Sequence, residues 1–296
     1  MGLFEVENNA LNSRRQQEGV NMKPINVMLN GLPGNVVSVI ASHATKDPRI
    51  RVLPYSLTGP EIEEEQYLLS GKTFELIRPN ERKKMDEVVK QHGNFISVDF
   101  THPSAVNANA EFYCKSNMPF VMGTTGGDRE RLVRTVEKSE ICAVIAPNMA
   151  KQIVGFQAMM AYAADTFPNI FKGYSLSVKE SHQSGKADTS GTAKAMVSYF
   201  QHMGVDCSTK DIYMERDPRK QKEEWKIPEA YLSGHGWHTY RLTSADKTVA
   251  FEFQHNVNGR DIYAEGTLDA ICYLKRKCET GSKGHVFSMI DVLQGR

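Results

Sequence analysis

Short apolar runs, each ending in a glycine or polar loop and followed by a helix-like stretch, recur through the first half of this chain. The runs are INVML, FISVDF, PFVMG and CAVIA, and the segments after them space their apolar residues as helices do. Strands that are separated by helices pair in parallel, with the helices covering the faces of the sheet. The pattern therefore predicts an α/β fold with a Rossmann-like, doubly wound parallel sheet.

The pattern changes after a helix that we expect at 151–167. YSLSVKES alternates as a strand with one wet face, and WHTYRLTS and KTVAFEFQHNV are long β-rich runs typical of an antiparallel sheet. The charge-dense stretch MERDPRKQKEEWKIP is interpreted as a solvated excursion. The tail from Ala264 has helical spacing again. We predict a polar N-terminal arm at 1–23, a dinucleotide-binding domain at 24–149 plus 264–296, and an inserted α+β domain at 150–263.

Composition narrows the possible functions. Lys and Arg number 36 against 35 Asp and Glu, so no overall charge would recruit nucleic acid or an anionic membrane. The five cysteines are scattered without a C-x-x-C pair, which argues against a disulfide framework or a zinc site. The longest uncharged run, 25–45, contains Asn, Gly and Pro and is too polar for a membrane span. We expect a soluble, metal-free protein of a reducing compartment: the cytoplasm, or the plastid stroma if the source is a plant and the transit peptide is missing.

The turn after the first strand, GLPGNVV, resembles a dinucleotide-binding loop. Gly31 and Gly34 match two of its three glycines, and Val37 occupies the place of the third. Backbone amides and a helix dipole at such a turn can bind a pyrophosphate, with Asn35 beside them. A β-branched residue at Val37 should push the helix outward. These residues leave both a cofactor loop and a plain turn open.

We expect the second strand at 51–57, and its end bears on cofactor choice. NAD enzymes usually place an acid there to hold the ribose hydroxyls, whereas this chain has Tyr55-Ser56-Leu57-Thr58-Gly59. Without an acid to repel a 2′-phosphate, NADPH is at least tolerated, and Ser56 is a candidate contact. An ordinary exposed turn is the alternative.

The stretch ESHQSGKADTSGTAKAM combines a histidine, two lysines and a helix start. Ser190 or Thr189 can cap that helix, which would leave the amides around Gly191 and Thr192 free to bind a carboxylate. Lys186 could bind the same anion, and His182 could donate a proton. The apolar stripe of the helix would be Ala193, Met196, Val197 and Phe200, with Gly204 as its stop. A capped helix after a solvated loop is the alternative.

This stretch closely matches the E-x-H-x-x-x-K-x-D-x-x-S-G-T-A signature of the dihydrodipicolinate reductase family. DFTHPSAVNANAEF, PFVMGTTGG, IAPNM, EFQHNVNGRDIYAEGTLDA and SMIDVL resemble other blocks of the family in the same order. Gln183, directly after the histidine, and KQIVGFQAMMA resemble the plant-type branch.

The resemblance implies an NAD(P)H-dependent reduction of 4-hydroxy-tetrahydrodipicolinate, a small cyclic dicarboxylate, in the diaminopimelate route to lysine. It also implies a homo-oligomer, a tetramer or dimer, assembled through the sheet of the inserted domain. His182, protonated, would be the acid and Lys186 the cation facing the substrate, with Gln183, Ser190, Gly191 and Thr192 at the substrate. The implied cofactor contacts, for NADPH or alternatively NADH, are Gly31, Gly34, Asn35, Ser56, Asp99, Phe100, Thr101, Gly123, Thr124, Thr125, Ala146, Pro147, Asn148 and Arg260.

The first loop departs from this family, whose members commonly carry a basic residue at Asn35 and glycine at Val37. The departure predicts weakened or re-routed cofactor binding, and it keeps open a non-catalytic or weakly active relative that binds a nucleotide or a partner. Semialdehyde dehydrogenases share the expected architecture but need a nucleophilic cysteine in a polar loop, and Cys142 begins an apolar strand.

Overall fold

The computed structural model describes residues 23–295. These residues form two compact units: the first runs to Pro147 and resumes at Leu268–Phe287, and the second comprises Asn148–Thr267 and the residues from Ser288. Except for Lys23, the predicted N-terminal arm lies outside the described residues. Among the helices described, none is both long enough and apolar enough to cross a membrane.

The first unit contains a six-stranded parallel sheet with the strand order β13-β8-β7-β6-β1-β2. Its strands are β1 (Ile25–Asn30), β2 (Ile50–Val52), β6 (Ile96–Asp99), β7 (Phe120–Met122), β8 (Cys142–Ile145) and β13 (His285–Phe287). Its helices are α1 (Asn35–Ala44), α2 (Lys84–His92), α3 (Val106–Lys115) and α4 (Arg129–Glu137). All four residues of β6 and all three of β7 are buried, as in a sheet covered on both faces. The predicted doubly wound sheet is confirmed.

The second predicted strand, 51–57, is broken in the structure. Proline has no N–H to donate to a β-ladder, and Pro54 separates β2 from β3 (Tyr55–Leu57). β3 belongs to a separate three-stranded sheet with β5 (Lys72–Ile77) and β4 (Gln66–Leu69). The expectation of one continuous strand was therefore wrong.

The second unit contains a four-stranded sheet with the order β10-β9-β11-β12. Its strands are β9 (Ser175–His182), β10 (Tyr213–Glu215), β11 (His235–Thr243) and β12 (Ala250–Asn258), and its helices include α5 (Lys151–Thr166), α6 (Gly191–His202) and α7 (Pro218–Glu223). β11 is antiparallel to β9 and β12, as the alternating pattern predicts. The predicted stripe of α6 is buried against this sheet, in one apolar cluster with Tyr240 and Leu242.

The C-terminal segment divides differently from the prediction, which placed all of 264–296 in the first domain. Helix α8 (Asp261–Glu279) passes from the second unit into the first, with the division at Thr267. The last helix, α9 (Met289–Gln294), packs against α5 and belongs to the second unit. The sequence of a short amphipathic helix shows that it has an apolar face, but not which of the two units that face packs against.

Two helical glycines give a matched test of this packing. A Cβ on Gly266 in α8 would lie 1.9 Å from the backbone oxygen of Met149, whereas one on Gly155 in α5 would meet only Leu293 Cδ1, at 3.9 Å. Gly155→Ala should stabilise the chain by up to about 1 kcal/mol, because alanine favours a helix. Gly266→Ala should instead destabilise it by about 1–3 kcal/mol, because the backbone must move. Urea unfolding midpoints of both variants check this, and shifts of the same sign would contradict it.

Candidate active site

The loop after β1 is closed by backbone contacts that require glycine. Gly31 has φ +112°, and a Cβ there would lie 2.4 Å from the carbonyl oxygen of Phe100. Its N–H donates to the Leu57 carbonyl at 2.8 Å, and the Gly34 N–H donates to the Gly31 carbonyl at 2.8 Å. Gly34 is the N-cap residue of α1, and Asn35, the first helical residue, is exposed. The first amides of α1 are therefore available to an anion.

Ser56 and Thr58 hold this loop in place from the adjacent segment. The Ser56 hydroxyl accepts from the Leu32 N–H at 3.2 Å and donates to the Leu57 carbonyl at 3.2 Å. The Thr58 hydroxyl donates to the Leu32 carbonyl at 2.8 Å. Since Ser56 is fully buried, the structure corrects its predicted role from a cofactor contact to a support of the loop. Val37, in the place of the third glycine, is also fully buried.

Asp99, at the end of β6, is a buried carboxylate with every acceptor position occupied. Its Oδ1 accepts from the N–H and hydroxyl of Thr101 at 3.1 and 2.8 Å and from the Thr124 hydroxyl at 2.7 Å. Its Oδ2 accepts from Asn109 Nδ2 at 2.9 Å and from the Tyr113 hydroxyl at 2.8 Å. Burial and this carboxylate raise the pKa of Tyr113, which therefore remains a donor. Asp99 joins the loops after β6 and β7, so the structure gives it a supporting role in place of direct cofactor contact.

The remaining predicted cofactor residues of the first unit follow neighbouring parallel strands. Gly123 and Thr124 donate their N–H groups to the Asp99 carbonyl at 3.0 and 3.2 Å. A Cβ on Gly123 would lie 2.3 Å from the ring of Phe100, so glycine is needed there too. Thr125 and Pro147 are exposed, and Ala146 is buried. The carboxyl ends of parallel strands form one edge of a sheet, the usual place for a ligand in this fold.

His182, the last residue of β9, has one ring nitrogen fixed and one without a partner. Its Nδ1 lies 3.0 Å from the carbonyl oxygen of His235, which can only accept, so Nδ1 carries the proton in the neutral ring. Its Nε2 is buried and has no hydrogen-bond partner. Burial and the nearby His238 lower the pKa of His182 to about 4. The ring is therefore neutral at pH 7 in the free chain, so the protonated acid that the resemblance implies is not its resting form.

Glu180, two residues earlier on β9, is a buried carboxylate that the candidate residues chosen from sequence did not include. Its Oε1 lies 2.6 Å from Arg216 Nη2, and its Oε2 accepts from the Ser190 N–H at 3.0 Å. His238 Nε2 lies 3.6 Å from Oε2. Burial alone would raise the pKa of Glu180, but the His238 and Arg216 side chains and the Ser190 amide lower it to about 2. The motif E-x-H in the sequence places this glutamate two residues before His182, and that spacing could have identified it as a site residue.

Arg216 belongs to the stretch interpreted as a solvated excursion, and for Arg216 and Gln221 that interpretation was wrong. The stretch contains the end of β10 and all of α7, and its Gln221 is fully buried with Nε2 donating to the His182 carbonyl at 2.7 Å. Arg216 Nε donates to the Lys186 carbonyl at 2.8 Å. Charge density concealed these contacts, because the sequence does not show which charges are paired.

The loop from Gln183 to Thr192 is thereby attached to β9. The Lys186 N–H donates to the Gln183 carbonyl at 3.0 Å, and both side chains are half-buried. Ser190 is the N-cap of α6, and its hydroxyl accepts from the Thr192 N–H at 3.2 Å. The Thr192 amide is therefore not free, contrary to the prediction. Gly191 is exposed, and as the first helical residue its amide has no intrahelical acceptor.

Two predicted cofactor residues, Asn148 and Arg260, lie in the second unit. The Asn148 side chain accepts from the Ala150 N–H at 2.9 Å, just before α5. Arg260 lies between β12 and α8, with its guanidinium next to Gly234. The described hydrogen bonds form two networks. One connects His182, Glu180, Ser190 and Lys186, partly through Arg216 and Gln221. The other connects Asp99, Thr101, Gly123 and Thr124.

Comparison with known proteins agrees with the architecture. The family model "Dihydrodipicolinate reductase, N-terminus" matches residues 25–149, and "Dihydrodipicolinate reductase, C-terminus" matches residues 153–293. The chain belongs to the dihydrodipicolinate reductase family. As a family member it is an oxidoreductase that uses a nicotinamide cofactor.

Relatives support the same conclusion. From Arabidopsis thaliana, 4-hydroxy-tetrahydrodipicolinate reductase 1, chloroplastic, is 46% identical over 91% of this chain and 78% of its own length, and reductase 2, chloroplastic, is 46% identical over 99% and 83%. A dipicolinate-bound dihydrodipicolinate reductase from Paenisporosarcina sp. TG-14 has a TM-score of 0.62 at 16% identity, covering 90% of this chain and 98% of that one. The predicted family and fold class are confirmed.

The buried ion pair of this reductase gives a direct stability test. Arg216→Ala would leave the fully buried Glu180 carboxylate without its cation, and should lower the free energy of unfolding by about 3 kcal/mol. Arg219→Ala is the matched control, because that guanidinium is 87% exposed and 3.9 Å from Asp217, and should change stability by about 0.5 kcal/mol or less. Chemical denaturation measures both, and equal losses would contradict the assigned role of Arg216.

Proposed function

We propose that this chain uses NADPH to reduce 4-hydroxy-tetrahydrodipicolinate to tetrahydrodipicolinate, with His182 as the proton donor. The names of its relatives support the substrate. The observation that carries the residue assignment is the half-buried His182 ring, which has a fixed tautomer and a free Nε2 and lies on the same unit as Lys186 and the start of α6.

The reaction needs a hydride for one ring carbon and a proton for the ring, and the 4-hydroxyl group of the substrate is lost as water. The nicotinamide supplies the hydride when it is bound. Nε2 of His182 holds the proton to be transferred, while Nδ1–H remains bonded to the His235 carbonyl and fixes the plane of the ring. In the neutral ring Nε2 carries an unprotonated lone pair, and that is where the proton is taken up.

Substrate charge has a second role in this proposal. His182 is neutral at pH 7 in the free chain because burial lowers its pKa to about 4. A substrate with two carboxylates brings negative charge next to the ring, and an opposite charge favours the imidazolium. Lys186 and the Gly191 amide would bind a carboxylate and orient the substrate, which is the kind of positioning that lowers a barrier.

The first unit is proposed as the cofactor domain. Its residues fit a dinucleotide, because Gly31 keeps the loop clear of side chains and the first turn of α1 carries no acid. Absence of an acid at Tyr55–Gly59 supports NADPH. The proposed contacts from this unit are Gly31, Gly34, Asn35, Phe100, Thr101, Gly123, Thr124, Thr125, Ala146 and Pro147.

A homo-oligomer assembled through the four-stranded sheet, and a location in the chloroplast, are proposed as well. The edge strand β12 exposes Phe251, and Val249 directly before the strand is exposed as well, so an identical copy could cover both. The printed names of the plant relatives support the location.

Loss of nicotinamide absorbance with freshly made substrate tests the function. His182→Gln should lower kcat by about 10²–10⁴-fold, because it removes the general acid. Lys186→Ala should mainly raise KM, because it removes a carboxylate partner. His202→Gln, at the exposed end of α6, is the control and should change neither constant. Unchanged kcat and KM in the first two variants would remove both residues from the mechanism, and no turnover by the unaltered chain would favour the non-catalytic alternative.

Asn35→Arg tests the cofactor assignment. Arginine at this exposed position can pair with a phosphate, and should tighten NADPH binding about tenfold, in the range of one charge-assisted hydrogen bond. Asn35→Gln, which adds length without charge, should leave the Kd unchanged. Titration with NADPH and NADH measures both. An arginine variant that binds NADPH no better than the glutamine variant would place the phosphates elsewhere.

A further inference from the structure

Three side chains at the end of β9 and on β11 bring metal-ligand atoms close together. Glu180, His182 and His238 each offer one such atom, and all of these atoms lie within 4.8 Å of one another. All three residues belong to the second unit. The sequence did not suggest the cluster, because His238 follows His182 by 56 residues. The two residues are brought together by the pairing of β9 with β11, in which Glu180 lies opposite His238.

Three of the four ring nitrogens of His182 and His238 have no hydrogen bond. His238 is 3% exposed, and neither of its ring nitrogens has a hydrogen bond. Nε2 of His182 is buried and unpaired as well. Buried polar atoms are normally paired, so an unpaired ring nitrogen on each of two neighbouring histidines beside Glu180 needs an explanation.

The ligand types identify the ion. Two histidines and one glutamate with a fourth position open is a ligand set of zinc enzymes. The Glu180 carboxylate is oriented by Arg216 at 2.6 Å and by the Ser190 N–H at 3.0 Å, as outer-shell partners orient metal ligands. Its Oε2 lies 3.6 Å from His238 Nε2, close to the roughly 3.4 Å between ligand atoms that tetrahedral zinc bonds of about 2.0–2.2 Å require.

We propose that Glu180, His182 and His238 bind Zn²⁺, and that the ion inhibits the reductase. The inhibition rests on the proposed function: zinc would occupy the Nε2 lone pair through which His182 takes up its proton. The positive charge of Arg216 is already compensated by Glu180, so the bound ion would favour an anion, such as hydroxide, at its open position. This departs from the expectation of a metal-free chain.

Direct binding to the purified full chain tests the site without using activity. Calorimetry should show one Zn²⁺ per chain, and Co²⁺ as a substitute should give the visible spectrum of a four-coordinate ion. His238→Ala and His182→Gln should each weaken Zn²⁺ by more than about 100-fold, since losing even an outer-shell partner weakens binding about 10–100-fold. His202→Ala should bind as the unaltered chain does.

No Zn²⁺ binding by the unaltered chain, or equal binding by the two ligand variants and the control, would overturn the site. His182→Gln, at a half-buried position, keeps the test decisive if His238→Ala does not fold. Zn²⁺ should also inhibit turnover with the half-saturation found by calorimetry, and Mg²⁺ should not. Binding without inhibition would overturn the inhibitory role alone. A chain that binds Zn²⁺ but shows no reductase activity in its absence would overturn the proposed function and leave the metal site standing.

Discussion

The buried carboxylate of Glu180 is the interaction on which the arrangement of the second unit depends. A charge with no exposed surface is tolerated only when it is paired and hydrogen-bonded, and Glu180 meets that condition through Arg216 and the Ser190 amide. These partners come from β10 and from the start of α6. Arg216 continues to the Lys186 carbonyl, so one ion pair fixes the loop that carries the proposed substrate residues.

Asp99 solves the same problem in the first unit by different means. It has no arginine or lysine partner among its hydrogen bonds, and instead accepts from hydroxyl, amide and backbone donors of Thr101, Thr124, Asn109 and Tyr113. The donors lie on the loops after β6 and β7 and on α3. Both units therefore place one fully satisfied carboxylate beneath the loops that present ligand-binding residues, which keeps irregular backbone in a single conformation.

The sequence predicted the parts that follow from periodicity and from matched motifs. The parallel strands, the apolar stripe of α6 and the family were correct, because burial leaves a regular pattern and several motif blocks occur in order. The roles predicted for Ser56 and Asp99 were wrong because the sequence does not show whether a polar residue at a strand end faces a ligand or the interior. Arg216 was missed because the sequence shows the same residue type whether an arginine forms a buried ion pair or is solvated.

The low pKa of His182 changes how the proposed reaction must be understood. A histidine that is protonated at rest could transfer its proton to any bound ring, but a buried neutral one depends on charge that arrives with the substrate. Lys186 would recruit the carboxylates, while burial and the nearby His238 and Arg216 charges keep the pKa of His182 low. A dianionic substrate resolves this, because one carboxylate can compensate Lys186 and leave the other to stabilise the protonated ring. Recognition of two carboxylates would thus be a condition for acid catalysis as well as for binding.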